Sequence, residues 1–287
     1  MAGRDGHVPA VSIGMPVFNA EGTVGEALEA LLDQTFADIE VVLSDNASSD
    51  ATGEICRRYA ARDTRIRYFR QPHNMGAGTN FRYVLGESRG TYFMWAAADD
   101  RWLPTFVERN FEVLAARPDV VLSVSRVRLD SGDWHRPGYA GTFPIQGTYR
   151  HRLRQYLRDP GANSRFYGCY RREEIAAAAA AVGTDFPAAD WAMIVALLRL
   201  GSHHEVPETL MVRGNRGYSI RPLSEQVRRA GLRFPESELP LWRFTRWFLG
   251  HVPRGDALAC LDLLVYWNLR FSYRLQKSRL RRSFGMA

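Results

Sequence analysis

VSIGMPVFNAEGTVGEALEALLDQTFADIEVVLSD, running from Val11 to Asp45, decides the reading of this chain. Its opening, VSIGMPVF (11–18), is short, apolar and rich in β-branched residues, the composition of a buried strand. GEALEALLDQTF (25–36) then places Ala27, Leu28, Leu31 and Leu32 on one helical face. IEVVLSD (39–45) predicts a second strand that ends in a carboxylate.

The alternation continues along the chain. DATGEICRRYAAR (50–62) predicts a helix that Asp50 can cap. Strands follow at IRYFRQ (66–71) and TYFMWAAA (91–98). LPTFVERNFEVLAAR (103–117) predicts a helix closed by Pro118, and DVVLSVSRV (119–127) another strand. Alternating strands and helices make an α/β fold, a mostly parallel sheet with helices on both faces. Ligands of such sheets bind beyond the carboxyl ends of the strands. Asp45, the Asp99/Asp100 pair and the Pro16-Val17-Phe18-Asn19 turn all fall at such ends, which places a candidate site.

The chemistry of that site follows from what stands there. In TYFMWAAADDRW (91–102) an apolar run stops at two adjacent carboxylates, which are costly to desolvate without compensation. The turn after the first strand reads PVFNAEG rather than GxGxxG, so the glycine seat for a pyrophosphate is missing. A divalent cation on a carboxylate would neutralise a diphosphate instead, since Mg²⁺ commonly takes one or two carboxylates plus phosphate oxygens.

The totals bound the class. The chain has 287 residues, 46% hydrophobic and 24% charged, an ordinary soluble composition. Its three cysteines, Cys56, Cys169 and Cys260, form no CxxC pair, which argues against a disulfide framework or zinc site and predicts a cytoplasmic protein. MAGRDGHVPA has no apolar core, so no secretory signal is expected at the start. Ala257 to Leu269 falls short of the roughly 20 residues a spanning helix needs, and Asp262 interrupts it. Charge is uneven: residues 221–287 hold 13 basic against 5 acidic side chains, a net +8, and the remaining 25 against 26 leave −1. Trp, Phe and Leu alternate with Arg across residues 240–283, which points the tail to an anionic membrane surface, on its inner face, or to packing on the body or on a second copy of the chain. A nucleic-acid partner is not expected.

Five stretches now stand in a telling order: SIGMPVFNAEGTVGEALEALLDQTFADIEVVLSDNASSDAT (12–52), HNMGAGTNF (73–81), GTYFMWAAADDRW (90–102), GCYRREE (168–174) and FPAADWAMIVALLRLGSHHEVPETLMVRGN (186–215). Together they resemble the family 2 glycosyltransferases, enzymes of GT-A fold that use nucleotide-activated sugars. The resemblance implies a GT-A domain over residues 1–220, with a nucleotide-binding half (8–128) and an acceptor and catalytic half (129–220). A basic helical extension would follow over 221–287.

By the same resemblance Pro16, Phe18, Asn19 and Glu21 form the first nucleotide loop, and Asp45 contacts the base. Asn74, Gly76, Asn80, Arg82, Ala98 and Asp99 complete the nucleotide-sugar site. Asp99 matches the last Asp of the DxD motif and would hold Mn²⁺ or Mg²⁺. Asp190 matches the base that deprotonates an acceptor hydroxyl in inverting transfer, with residues 161–170 on the acceptor side. The implied donor is a UDP- or dTDP-sugar, the acceptor a glycan, glycolipid or small molecule, and the setting polysaccharide biosynthesis. Four positions depart from the family pattern. Ala97 replaces the first Asp of DxD, and Ala189 a Glu before the base. Phe81 and Arg82 stand where Arg-Asn is frequent, and Asn215 where a metal-binding His is frequent. Two competing readings remain, a non-catalytic module that binds nucleotide sugars or glycans and a sugar-phosphate nucleotidyltransferase. The latter would want a basic loop after the first strand, which PVFNAEG lacks. His203 and His204 read as part of a connecting loop.

Overall fold

The computed structural model describes residues 7–130, 140–183, 186–214, 222–229 and 231–283. The first half follows the predicted alternation and adds a helix, α3, that the sequence reading did not name: β1 (Val11–Val17), α1 (Val24–Leu32), β2 (Ile39–Asp45), α2 (Thr52–Arg62), β3 (Ile66–Arg70), α3 (Ala77–Glu87) and β4 (Tyr92–Trp95). A two-residue strand β5 (Arg101–Trp102), α4 (Phe106–Ala116) and β6 (Val120–Leu129) come next. Then follow α5 (Tyr149–Arg158), a 3₁₀ turn (Ser164–Tyr167), β7 (Cys169–Arg171), α6 (Arg172–Val182), α7 (Ala189–Leu200) and β8 (Ser202–Arg213). The C-terminal segment is helical: α8 (Leu223–Arg229), α9 (Trp242–His251), α10 (Arg254–Leu258) and α11 (Leu261–Ser283).

Among the described residues eight strands form one sheet in the order β3-β2-β1-β4-β7-β6-β8-β5. Strands β1 to β4 pair in parallel, with Val17 opposite Asp45 and Asp45 opposite Arg70, so their carboxyl ends lie level. The other half is mixed: β7 runs antiparallel to both β4 and β6, while β6 and β8 are parallel. Two details differ from the sequence reading. β4 stops at Trp95, three residues early, because the backbone turns at Ala97, whose carbonyl accepts the Asp100 N–H at 3.2 Å. His203 and His204 belong to β8 rather than to a loop, paired with Leu122 and Ser123 of β6.

The period-2 alternation of the strands divides the interior into two cores. Val11, Ile13, Met15, Val41 and Leu43 face α1, α2 and α4. Val42, Phe93, Trp95 and Tyr170 face the other way, onto a core that includes α3, α5, α6 and α7. Gly14 lets α3 approach β1, since a Cβ there would lie 2.7 Å from the Phe93 ring and 2.8 Å from Val84. This second core also takes in Leu241, Phe244 and Phe248 of the C-terminal segment, with Leu264 of α11. The Trp267 indole donates to the Leu157 carbonyl at 2.6 Å, tying α11 to α5. The inner face of the extension is therefore continuous with the body. All three cysteines are buried and unpaired, and burial pushes the Cys56 and Cys169 thiols up to about 12.

Candidate active site

Three loops meet at the carboxyl edge of β1, β2 and β3. The β1–α1 loop carries Phe18, 46% exposed, and Asn19, which holds a left-handed φ of 48° that Asn tolerates better than most residues. The Asn19 carboxamide oxygen accepts the Ser49 N–H at 2.9 Å, and the Asn19 N–H donates to Ser48 Oγ at 3.0 Å. Glu21 Oε2 accepts the Ala51 N–H at 2.8 Å. Asp50 receives the Glu21 N–H at 3.2 Å and the Thr52 N–H at 3.0 Å; it stands one residue before the N-cap, Ala51, so the residue expected to cap α2 instead clasps the first loop to its start. The third loop docks through Asn46, whose amide donates to Asn74 Oδ1 at 2.9 Å and whose oxygen accepts the Met75 N–H at 2.9 Å. Asn74 in turn accepts the Gly76 N–H, and Gly76 starts α3 at φ 85°.

Asp45 lies fully buried at the centre of these loops. Its Oδ1 accepts the Ser48 N–H at 2.8 Å, and its Oδ2 accepts the Tyr68 hydroxyl at 3.1 Å and the Arg70 guanidinium. Three of a carboxylate's roughly four acceptor positions are thereby taken. Arg70, half exposed beside it, is the group that reaches outward from this pair. Asn80 differs from the expectation that it lines the ligand site. It is 2% exposed and turned inward, its oxygen accepting the Ser44 hydroxyl at 2.6 Å and its amide donating to the Ser44 carbonyl at 3.0 Å. It braces the end of β2 from beneath. Arg82, on the exposed side of α3, donates to Thr79 at 3.4 Å.

Ala98, Asp99 and Asp100 leave β4 in a turn that packs against the end of β8. A Cβ on Gly214 would lie 2.1 Å from the Asp99 carbonyl oxygen, so only glycine permits that approach. Asp100, 2% exposed, accepts the Gly214 N–H at 2.9 Å through Oδ1, while its buried Oδ2 has no hydrogen-bond partner. Burial pushes this carboxyl up to about 7, with the Arg213 charge and the Gly214 N–H opposing. Glu26, Asp99, Asp100 and Asp130 line a cleft of about 130 Å³ at this edge. Its donors are hard oxygens of the kind Mg²⁺ and Mn²⁺ prefer. Among the described residues no three His, Cys, Asp or Glu side chains converge closely enough to hold a metal alone. Asp99 beside the buried, unpartnered Asp100 oxygen thus fits a cation that draws the rest of its shell from phosphate and water. Asn215 lies outside the described residues.

Asp190 arrives from the other half of the sheet. The helix α7 starts after Ala188, which holds φ 66°, so Asp190 sits inside the first turn rather than at the cap. Its Oδ2 accepts the Asn163 amide at 2.9 Å. Burial raises this carboxyl above the ordinary range, against the lowering from Asn163 and the helix backbone. Asn163, 4% exposed, also has a left-handed φ of 49°, and its oxygen accepts the buried Tyr156 hydroxyl at 3.1 Å. That bond turns the amide nitrogen toward Asp190.

Arg213 and Tyr167 join the two carboxylate groups. The Arg213 guanidinium lies 4.8 Å from the centre of the Tyr167 ring and donates to the Ala162 carbonyl at 2.8 Å and Ser164 Oγ at 3.1 Å. Burial raises the Tyr167 phenol, and Asp100, Asp99 and Asp190 raise it further while Arg213 opposes them. Asp100 holds Gly214 while Arg213 holds the turn whose Asn163 reaches Asp190, so loops far apart in sequence meet here. The sequence reading named none of Asn46, Arg70, Asn163, Tyr167 and Arg213 singly as site components. The signals were coarser: Asn163 and Tyr167 fall in 161–170, placed on the acceptor side, and Asn46 and Arg213 lie within the matched stretches 12–52 and 186–215.

The profile of the family described as Glycosyl transferase family 2 matches residues 12–173, over half of the chain. This chain belongs to family 2. Among curated relatives of this family 2 member, the uncharacterized glycosyltransferase EpsJ of Bacillus subtilis is 39% identical over 93 residues, covering 32% of this chain and 27% of EpsJ. Glycosyltransferase GlyG of Streptococcus pneumoniae is 28% identical over 113 residues, covering 39% of this chain and 38% of GlyG. The matched stretch thus spans less than two thirds of either relative. Among solved structures, S. aureus TarS 1–349 in complex with UDP-GlcNAc aligns at TM-score 0.59 and 15% identity, covering 96% of this chain and 92% of that one. Mannosyltransferase PcManGT of Pyrobaculum calidifontis, in complex with GDP-Man and Mn²⁺, aligns at TM-score 0.55 and 15% identity over 98% and 89%. At such identity the likeness establishes the shared GT-A fold.

Proposed function

We propose that this family 2 member transfers a sugar from a nucleoside-diphosphate sugar to an acceptor hydroxyl, with inversion. The observation that carries the reading is the run of contacts that links the Asp99/Asp100 turn to Asp190: Asp100 holds the Gly214 N–H, Arg213 beside it holds the 162–164 turn, and Asn163 of that turn holds Asp190. A donor phosphate site and a proton acceptor would then flank one reacting carbon. The nucleoside would lie over the clasped loops of Asn19, Asn46 and Asp45, with Arg70 at the base-contact position and Phe18 exposed for stacking. The default base is uracil or thymine, and the default acceptor a growing glycan or glycolipid in the cytoplasm. The nucleotide sugars bound by TarS and PcManGT support the donor class.

The acceptor oxygen attacks the anomeric carbon from the face opposite the diphosphate, and the bond from that carbon to the phosphate oxygen breaks. The hydroxyl proton passes to Asp190, which need only accept it as attack proceeds. A half-buried carboxylate of raised pKa is a better proton acceptor than an exposed one. Asp99, with the unpartnered oxygen of Asp100, would hold a divalent cation, and such an ion would supply positive charge to the leaving diphosphate.

A second reading, a module that binds a nucleotide sugar without turning it over, draws on Ala97 and Ala189. One experiment separates the two. A thermal-shift panel of nucleoside diphosphates and sugar nucleotides, with and without Mn²⁺, is followed by measurement of donor hydrolysis and transfer. A binding donor at about 100 times its dissociation constant adds about 2.7 kcal/mol. Binding with turnover that Asp190→Asn removes supports the transferase. Binding with no turnover, and no transfer to any hydroxyl, supports the module.

A further inference from the structure

The helix α11 has two apolar faces. At 3.6 residues per turn, Leu264, Asn268, Phe271 and Leu275 fall on one side with Trp267 beside them. Leu264 and Leu275 are buried, and the Trp267 and Phe271 rings meet Trp191 of α7 at 5.2 and 5.9 Å. This face holds the helix to the body. The opposite side carries Leu261, Val265, Leu269, Tyr273 and Leu280, spaced four, four, four and seven residues apart. Val265 is 56% exposed, Leu269 65%, Tyr273 68% and Leu280 59%. Leu258, at the end of α10 and 66% exposed, prolongs the line. Single exposed apolar residues are ordinary, but a continuous stripe of this length marks an interaction surface.

Arg270, Arg274, Lys277 and Arg281, all exposed, run along one flank of the stripe. Four nearby acids are engaged elsewhere: Asp256 with Arg150, Asp262 with Arg154, Glu236 with Arg243 and Glu238 with Arg279. None of these ion pairs includes the four flank cations. Arg270 and Arg274 instead lie over the Trp267 and Phe271 rings, each at 5.5 Å, which orders them without cancelling their charge. An apolar stripe with a cationic flank is complementary to an anionic lipid surface, where the stripe enters the acyl boundary and the cations meet headgroups. Two copies of the stripe closing on each other would instead line one seam with two rows of cations. Among the described residues no helix is long and apolar enough to cross a membrane, so the fit is to lie on the surface.

We propose that the open face of α11 docks on an anionic membrane surface, with Leu261, Val265, Leu269, Tyr273 and Leu280 in the interface and Arg270, Arg274, Lys277 and Arg281 against the headgroups. The full chain is tested by co-sedimentation with phosphatidylcholine vesicles, with and without phosphatidylglycerol, over a range of salt. The expected result is binding that needs the anionic lipid and weakens as salt rises. Lys277→Gln combined with Arg281→Gln should weaken it on the order of 25-fold, about five-fold per cation. Leu269→Ser combined with Tyr273→Ser should remove it while the melting temperature stays that of the wild type, since both side chains are exposed. Equal binding to neutral vesicles, or none to either, overturns the proposal. A dimer that the Leu269/Tyr273 variant dissolves, without vesicle binding, overturns it in favour of a second copy.

Discussion

Replacing Asp190 by Asn separates its chemical role from its structural one. Asn has nearly the same shape, and its carboxamide oxygen can still accept the Asn163 amide that now reaches Asp190 at 2.9 Å. What disappears is the proton acceptor. General-base catalysis is worth about 10²–10⁴-fold, or about 2.7–5.4 kcal/mol of barrier, so kcat should fall by that factor while donor KM holds. Stability should barely move, because two small effects oppose. A carboxylate in the first turn of α7 gains about 0.3–1 kcal/mol from the helix dipole, which Asn forfeits. Burial, however, raises this carboxyl above its unfolded value, so its ionised form costs stability at neutral pH, and Asn relieves that cost. The melting temperature should therefore shift by no more than about 4 °C. Steady-state transfer, donor calorimetry and thermal melts on both proteins form the assay. For the wild type, kcat should rise with pH through a pKa above the ordinary Asp value. A variant with kcat within ten-fold of wild type refutes the base assignment. One that melts far lower shows a structural role instead.

Asn163→Asp keeps a side chain that tolerates the left-handed backbone and can still accept the Tyr156 hydroxyl, but it sets a second carboxylate against Asp190. The acid limb of the kcat profile should move to higher pH; an unchanged profile would mean that Asn163 does not position the base. For the metal, Mn²⁺ and a nucleoside diphosphate should each tighten the other by the same factor, on the order of 5–150-fold, and Asp99→Ala should abolish that coupling in calorimetric titrations. Equal diphosphate binding with and without metal in the wild type would dismiss the cation site. Asp100, raised to about 7 in the folded chain, keeps a proton that the unfolded chain has already released between about pH 4 and 7. Stability should fall across that window and level off above it, and Asp100→Asn, which still accepts the Gly214 N–H, should flatten the urea-denaturation profile.

Val11 to Asp45 already specified a parallel strand-helix-strand unit. β-branched brevity and one apolar helical face are local properties, and burial on both sides of the sheet only reinforces them. The level carboxyl ends of β1 to β3, and hence the position of Asp45 and Asn19, follow from that alternation. The helix α11 offers a contrast: its two apolar stripes are both legible as periodicity, but which of them meets Trp191 depends on the surface that α5 and α7 present. Asn80 shows the same limit, since nothing local tells an Asn that braces Ser44 from one that faces a ligand. The pairing of Asn163 with Asp190, and of Arg213 with Tyr167, arose only when β7 and β8 closed the second half of the sheet. Helix faces and the ends of β1 to β3 are set by neighbours a few residues apart, so the chain alone was enough to place them, whereas the turn at Ala97 that ends β4 early was not legible. The loops that carry positions 100, 163, 190 and 213 meet because the sheet order brings distant segments together, and no local pattern in the sequence encodes that meeting.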